Sequence, residues 1–443
     1  MSSLAELDRS NVVDIDLGGA EFKANGHRHM AEWARRPPFY VLDHGHPQVV
    51  VGRYADVHKV FSDTQTFASE MPRGLGWEQF NKIMDAQFVT QMDGAQHARV
   101  RRLLTPAFSS RRIEYLEESI ARIVDGMLDR IEANGPAFDG MKDYGAHLVV
   151  DALLDVMVNM DERRKAIFVA FHDMIPGTTY VKPGESWSPQ LRRAFDRTME
   201  EIKVIIDERR VSPRPDFISD LVNARDAGDK LSDRELFDQI FGICGASLSA
   251  TSRAAGGALH LLYTHDDQRH ELIRDPSLIP DAIEECLRLR SNGYFTFPRI
   301  ATCDTEVGGT PILKGMVVRP SPLAPNYDPD VFSDPLRFDS PQAKAHPFVR
   351  RRASPLHWQH PGAHYHHHRG HAFVSALSQS AHQRPEFHAT LWRRSGRVTL
   401  TEPANAIPLT SAKKQLRAAG IARADAAALR RALKHKIDMV MRW

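Results

Sequence analysis

The chain has 443 residues, 42% of them hydrophobic, which is enough to bury a sizeable core in one large domain or in several smaller ones. No stretch approaches ~18 uninterrupted apolar residues, and the charged N-terminus has no apolar run of the kind found in signal peptides. We therefore expect a soluble, cytoplasmic protein with no membrane partner. The three cysteines (Cys244, Cys286 and Cys303) lack the paired spacing of a disulfide framework or a zinc site, so we expect them to be buried small residues.

The net charge of +2 conceals an acidic body and a basic C-terminal region. Residues 349–443 carry 17 Lys/Arg against four Asp/Glu, a balance of +13, whereas residues 1–348 carry 41 against 52, a balance of −11. Ten of the 22 histidines lie between His346 and His388. Three interpretations stay open: a tail that binds nucleic acid or membranes, a metal-binding tract, and sequence that was never selected to fold.

The first predicted element is a β-hairpin. Residues alternate in polarity from Phe39, a turn is predicted at His46-Pro47, and a second apolar run reaches Tyr54. A short helix follows over 55–61. This start predicts a small β region at the N-terminal side of the protein.

A helical body follows the hairpin. The run 93–104 is typical of a helix, on which His97 and Arg101 stand four residues apart and share one face. Taken alone, this pair is also typical of a solvated basic face. Apolar residues then recur at helical spacing over 113–210, with breaks at 134–136 and 183–189.

The longest predicted helix begins at Ser232, where Glu235 completes a capping box, and continues without proline to about Thr264. At ~1.5 Å per residue it is about 50 Å long and crosses a whole domain. Its centre, residues 242–251, is unusually rich in small and hydroxyl side chains. Such a composition indicates either a kink or close approach of a ligand, or simply helix-packing contacts.

A second helix, 280–290, carries Glu285 and Arg288 three residues apart, so the two side chains can pair along one face. Short strands are predicted after it, over 299–302, 305–307 and 317–319, and an irregular segment rich in Pro and Asp follows over 324–339.

The order of these features resembles the bacterial cytochromes P450 from about Ala20 to Phe348. The motifs that carry the resemblance are the helix that begins at Asp93, the long helix, Glu285-x-x-Arg288, Arg299 after a proline turn, and the segment 324–339. The resemblance implies a mainly α fold with a small β region, forming one domain within residues 1–348. It also implies a haem-dependent monooxygenase that oxygenates a small hydrophobic molecule, takes electrons from a ferredoxin-type redox partner, is monomeric and binds no nucleic acid.

The resemblance further assigns roles to single residues. His97, Arg101 and Arg299 would bind the haem propionates, and guanidinium forks suit carboxylates. Glu285 and Arg288 would form a structural pair in the core beneath the haem. On the distal helix, Ser249 and Ala250 stand where the family has an acid followed by a threonine, and Thr251 comes next, so the resemblance implies a weakened proton relay to bound oxygen. Two alternatives stay open: Thr251 substitutes for the missing threonine, or the substrate or a water molecule supplies the proton.

The haem-ligating cysteine loop of the family, Phe-Gly-x-Gly-x-His-x-Cys-x-Gly, is missing after residue 339. None of the three cysteines replaces it, because by the resemblance Cys244 lies on the distal helix, Cys286 on the Glu-x-x-Arg helix and Cys303 on a strand. However, the codons for 349–364, read one nucleotide later, permit Phe-Gly-Ala-Gly-Pro-His-His-Cys-Ile-Gly-Asn-Thr-Leu-Ala-Arg. The cysteine is then encoded across Leu356 and His357. This pattern predicts a frameshift near Phe348.

A frameshift would make residues 349–443 an out-of-frame tail that is disordered or irregular, and it would remove the axial ligand, so this chain is expected to be inactive. The histidine cluster at 364–368 would then bind transition metals only adventitiously. The rival hypothesis is a non-catalytic P450-like protein that binds apolar ligands or a partner and uses its basic tail for nucleic acid or acidic surfaces. The charge of the tail favours this alternative, and its lack of interleaved aromatic residues disfavours it.

Overall fold

The computed structural model describes residues 9–17, 19–43, 46–69, 87–108, 110–134, 138–174, 186–225, 227–275, 278–290, 294–295, 298–339 and 398–399. The helices, in chain order, are α1 (Ala20–Trp33), α2 (Tyr54–Ser62), α3 (Gly94–Leu104), α4 (Ser110–Asn134), α5 (Ala146–Val149), α6 (Glu162–His172), α7 (Pro189–Val211), α8 (Phe217–Asn223), α9 (Asp233–Thr264), α10 (Asp266–Arg274) and α11 (Ile279–Leu289). The expected mainly α fold with a small β region is confirmed. The predicted out-of-frame tail lies outside the described residues, apart from 398–399.

The strands are β1 (Val12–Val13), β2 (Phe39–Asp43), β3 (His46–Val51), β4 (Phe67–Ala68), β5 (Phe138–Asp139), β6 (Arg299–Ala301), β7 (Thr305–Val307), β8 (Thr310–Ile312), β9 (Val317–Pro320) and β10 (Val398–Thr399). Six of them form a mixed sheet in the order β1-β2-β3-β9-β6-β4. The pairs β5–β10 (parallel) and β7–β8 (antiparallel) stand apart from it. The sheet buries its own apolar cluster, which includes Val49, Phe67 and Val318.

The β2–β3 hairpin forms as predicted, but its turn lies earlier than expected. Asp43 pairs with His46, and Leu42 pairs with Pro47, so His46 and Pro47 belong to β3 rather than to the turn. A proline is tolerated there because pairing with the next strand, β9, begins only at Gln48. The missing N–H of Pro47 therefore leaves no gap in the β3–β9 ladder.

The helical core is organised around α9, which runs for 32 residues, about 50 Å. Its first turn has the predicted capping box: the Ser232 hydroxyl accepts from the Glu235 N–H, and the Glu235 carboxylate accepts from the Ser232 N–H at 2.8 Å. Helix α5 is continued at both ends by π-helical turns, Gly140–Gly145 and Val150–Met157, and this composite helix packs across α9. Helices α7 and α11 pack on other parts of α9.

Two cysteines are buried as expected, but Cys303 is exposed. It lies in the bend between β6 and β7, not on a strand, because the chain leaves the sheet after Ala301. Within the described part of the chain, no helix is both long and apolar enough to cross a membrane.

Candidate functional site

Arg299, the first residue of β6, is a buried cation with unused donors. Arg299 is 1% exposed, and neither its Nε nor its NH1 has a hydrogen-bond partner among the described residues. Burial lowers the pKa of Arg299 to about 10, and the nearby Asp93 carboxylate partly opposes this shift. The ring of Phe61 lies against its guanidinium face, with the ring centroid 5.4 Å from Cζ. A buried guanidinium in this state is suited to an anionic ligand group.

Asp93 connects the sheet to the start of α3. The N–H of Ser69, just after β4, donates to Asp93 Oδ2 at 2.6 Å, and the Ser69 hydroxyl donates to Oδ1 at 2.7 Å. Because β4 pairs with β6, this contact draws the N-terminus of α3 towards Arg299. The negative charge of Asp93 also raises the pKa of Arg299, as expected if the two side chains lie close together.

His97 and Arg101 lie on α3, one turn apart. His97 is 6% exposed and Arg101 is half-buried, so the alternative of a fully solvated basic face does not hold for His97. Both residues take part in interactions with their surroundings. The helix that carries His97 and Arg101 therefore begins close to Arg299, because Asp93 precedes its first residue.

Glu285 and Arg288 form an ion pair on α11 with no exposed side-chain surface. Arg288 donates to the carboxylate through Nε and NH2, both at 2.8 Å. Its remaining donors reach the carbonyls of Asn326 and Pro335 at 2.7 Å and of Arg337 at 3.0 Å. The pair thus fastens the irregular segment 324–339 to α11, and every donor direction of the guanidinium fork is used.

The glycines of α9 differ in what lies beside them: three permit close helix packing, and one borders open space. A Cβ at Gly242 would lie 2.5 Å from Phe88 Cδ1, one at Gly256 would overlap Met141, and one at Gly257 would lie 2.9 Å from Arg290 Cβ. These glycines permit close packing. A Cβ at Gly245, in contrast, would meet nothing within 4 Å. The centre of α9 therefore borders open space on the side of Gly245.

Thr251 is fully buried, and its Oγ1 has no hydrogen-bond partner among the described residues. It follows Gly245 by six residues, which places it about 120° around the helix from that glycine. Three residues further on, Ala254 packs against Leu287 of α11. Thr251 is thus nearer the α11 side of the helix, whereas position 249 is one turn after Gly245. For Ser249 and Ala250 the structure describes only the backbone, as part of α9.

The buried cysteines do not offer a thiolate. Burial raises the pKa of Cys244 to about 12, and burial together with the charge of Glu285 raises the pKa of Cys286 well above its ordinary value. Both thiols are therefore protonated at neutral pH. The cysteine expected across Leu356 and His357 lies outside the described residues.

Haem suits the described part of the site on two observations. The unpartnered donors of Arg299 match a propionate carboxylate, which would satisfy buried polar atoms that otherwise remain unpaired. The space beside Gly245, where an added Cβ would meet nothing within 4 Å, leaves this side of α9 open to a ligand.

Sequence patterns missed two residues that shape this site. Asp93 was assigned only to a helix start, and Phe61 only to the end of the short helix predicted over 55–61. The pattern Asp93-Gly-x-x-His97 could have indicated an acidic residue at the head of the histidine-bearing helix, but its partner Ser69 is 24 residues away. No local signal could have placed Phe61 over Arg299.

Comparisons with known proteins agree with this geometry. The family model for cytochrome P450 matches residues 16–275 and 268–342. The chain is 30% identical to the mycinamicin IV hydroxylase/epoxidase of Micromonospora griseorubida over 311 residues, 69% of this chain and 74% of that protein. It is 32% identical to the nocardicin C N-oxygenase of Nocardia uniformis subsp. tsuyamanensis over 311 residues, 68% and 75% of the two chains.

Solved structures give the same result. Cytochrome P450 CYP109Q5 from Chondromyces apiculatus matches with a TM-score of 0.70 and 26% identity, covering 85% of this chain and 90% of that one. Cytochrome P450 CYP105P1 in complex with filipin I matches with a TM-score of 0.66 and 27% identity, covering 83% and 87%. The chain belongs to the cytochrome P450 family of haem monooxygenases.

Proposed function

We infer that the gene encodes a monooxygenase that oxygenates a small hydrophobic molecule with electrons from a ferredoxin-type donor, and that this particular chain has lost the haem thiolate through a frameshift. The observation that carries the haem site is the buried Arg299 guanidinium with two unpartnered donors. The observation that carries the frameshift is the haem loop permitted by the codons that follow Phe348.

The residues around α3 and β6 hold the cofactor through its carboxylates. Arg299 would donate to one propionate through the two nitrogens that have no partner among the described residues, and His97 and Arg101 on the adjacent helix would provide further positive charge or hydrogen bonds. When bound, haem supplies the iron at which O₂ is reduced for insertion into an apolar substrate. The protein contributes binding, orientation and a dry environment.

The open side of α9 receives oxygen and substrate. Gly245 leaves room there, and a hydroxyl-bearing residue, Ser249, occupies the next turn of the helix. We assign the proton-relay role to Ser249 rather than to Thr251, because helix periodicity turns Thr251 towards α11. The Thr251 hydroxyl is buried and has no hydrogen-bond partner in the part of the chain that the structure describes.

The loss of the thiolate accounts for the end of the family match. The match stops at residue 342, a few residues before the predicted shift at Phe348. Beyond that point the in-frame chain carries a balance of +13 and no cysteine. Without its axial ligand and the helices that should follow, the chain is expected to be inactive and of low stability, because an unfilled cavity lowers the free energy of unfolding.

The substrate class follows from relatives only in broad terms. Two of them act, by their names, on mycinamicin IV and nocardicin C, and others on vitamin D(3) and on a steroid. For this chain we accordingly propose a largely apolar organic substrate.

Haem titration of two proteins tests the proposal: the chain as it stands, and a frame-restored chain made by deleting one nucleotide after the codon of Phe348. We expect tight uptake with a stable Soret band in the restored chain and weak uptake in the original. Sequencing the gene across the codons for 348–364 then decides whether the extra nucleotide is in the genome. Equal haem binding by the two proteins would contradict the frameshift, and no binding by either would contradict the haem site.

The charge of the tail favours a second candidate, a non-catalytic protein whose residues 349–443 bind nucleic acid or acidic partners. Retention on heparin decides it. Retention that disappears when residues 349–443 are deleted supports this candidate, whereas retention that survives the deletion rules it out.

A further inference from the structure

The indole N–H of Trp187 is a buried donor that the proposed chemistry does not use. Trp187 lies just before α7 and is 6% exposed, and its Nε1 has no hydrogen-bond partner among the described residues. Buried tryptophan N–H groups normally find an acceptor, because water is no longer present to replace one. The described part of the chain thus supplies no acceptor for this donor.

Trp187 is the first ring of a continuous aromatic cluster. It meets Phe195 edge to face, with ring centroids 5.4 Å apart and an interplanar angle of 76°. Phe195 meets Phe241 at 6.1 Å and 84°, and Phe171 contacts both of them at 5.7 and 5.9 Å. Phe88 stacks on Phe241 at 6.1 Å. Four separate segments of the chain thus contribute rings to one cluster.

The cluster ends beside the open space on α9. Phe241 precedes Gly245 by one turn and shares its face of the helix, and a Cβ at Gly245 would meet nothing within 4 Å. The segment that carries Phe88 is held in place by Gln239, whose Oε1 accepts from Val89 N–H at 3.0 Å and whose Nε2 donates to Gln87 O at 2.8 Å. The rings next to the space are therefore anchored to the helix that borders it.

We propose that this aromatic cluster forms a wall of the substrate site and that Trp187 determines specificity by donating a hydrogen bond to an acceptor oxygen of the substrate. The inference rests on the proposed function for the position of the substrate beside Gly245. It narrows the substrate class to a mainly apolar molecule that presents a ketone, ester or ether oxygen as a hydrogen-bond acceptor. An indole N–H can only donate, so a substrate whose polar end lacks an acceptor gains nothing from it.

Equilibrium dialysis with two probes of similar shape tests the proposal on the full chain. Fluorenone carries a carbonyl acceptor and fluorene does not. Replacing Trp187→Phe keeps an aromatic ring and removes the N–H, so we expect the affinity for fluorenone to fall about fivefold and the affinity for fluorene to stay within about twofold. The proposal would be overturned if Trp187→Phe lowered the affinity for both probes equally or changed neither affinity. It would also be overturned if neither probe bound to the unaltered chain.

Two further measurements keep the outcome unambiguous. Phe195→Leu disturbs the wall but keeps the indole N–H, so it should weaken the binding of both probes; unchanged binding of both would refute the wall. Thermal unfolding shows whether each variant is folded, and haem titration of the frame-restored chain separates the two proposals. Fluorenone selectivity together with no haem uptake by the frame-restored chain would refute the proposed function and keep the role of Trp187, whereas haem uptake without selectivity would do the reverse.

Discussion

His27 on α1 and Tyr327 in the turn after β9 are joined by a hydrogen bond of 3.0 Å between Nδ1 and Oη. Tyr327 donates its own proton to the carbonyl of Leu289 at 2.6 Å, so its oxygen can only accept from the imidazole. His27 is therefore the neutral Nδ1–H tautomer. Burial lowers its pKa to about 4, helped by the positive charge of Arg290 and by His260.

This pKa predicts a loss of stability on mild acidification. The folded protein binds the His27 proton more weakly than the unfolded chain does. The contribution of neutral His27 to the free energy of unfolding is therefore complete above pH 6.5 and is lost as the pH falls towards 4. At pH 5 the loss is about 2 kcal/mol. The variant His27→Gln cannot titrate at this position. Its denaturant midpoint should therefore change less between pH 7 and pH 5 than the midpoint of the unaltered chain. Parallel pH curves for the two proteins would contradict the assignment.

Replacing Arg299→Leu should stabilise the haem-free chain and weaken haem retention. The replacement removes a buried charge with two unpartnered donors, worth about 1–3 kcal/mol, and loses only the contact with Phe61, worth about 0.5–1 kcal/mol. Denaturant unfolding without haem measures the first effect, and haem transfer to apomyoglobin measures the second. Arg299→Lys, which keeps the charge, is the control. A lower unfolding free energy for the leucine variant would show that Arg299 already has its partner.

Breaking the Glu285–Arg288 pair should be far more costly. Arg288→Leu leaves a carboxylate with no exposed surface and removes the donors to three backbone carbonyls, so we expect a loss of about 3–5 kcal/mol in the free energy of unfolding. Replacing both partners by leucine should restore part of that loss, because no buried charge remains. A double variant less stable than the single one would mean that the other contact of Glu285, the hydrogen bond that it accepts from the Asp339 N–H at 3.0 Å, outweighs the cost of its unpaired charge.

Two glycines of α9 should respond oppositely to alanine. Gly245→Ala places a methyl group in open space and should gain up to about 1 kcal/mol from helix propensity. Gly242→Ala drives the methyl group against Phe88 and should cost about 1–3 kcal/mol through overpacking. Thermal unfolding of the two single variants, which differ only in position along one helix, provides the comparison. Equal shifts would show that the space beside Gly245 is not open.

Local patterns in the sequence predicted the elements well and the tertiary contacts poorly. The capping box at Ser232 and the spacing of Glu285 and Arg288 were visible because both depend on residues three apart. The contact of Asp93 with Ser69 and the cluster of rings from four segments depend on chain folding, so no window of neighbouring residues contains them. The β-hairpin turn was misplaced because a proline usually signals a turn, whereas Pro47 is accepted where β3 still has no second neighbour.

The reduced carbon monoxide difference spectrum of the unaltered and the frame-restored chain is the most direct test of the central claim, a P450 fold whose thiolate loop is encoded out of frame. We predict the thiolate-type band in the restored chain alone, with the cysteine supplied by the shifted codons of Leu356 and His357. The same band in the unaltered chain, or a flat spectrum in a restored chain that has bound haem, would contradict it.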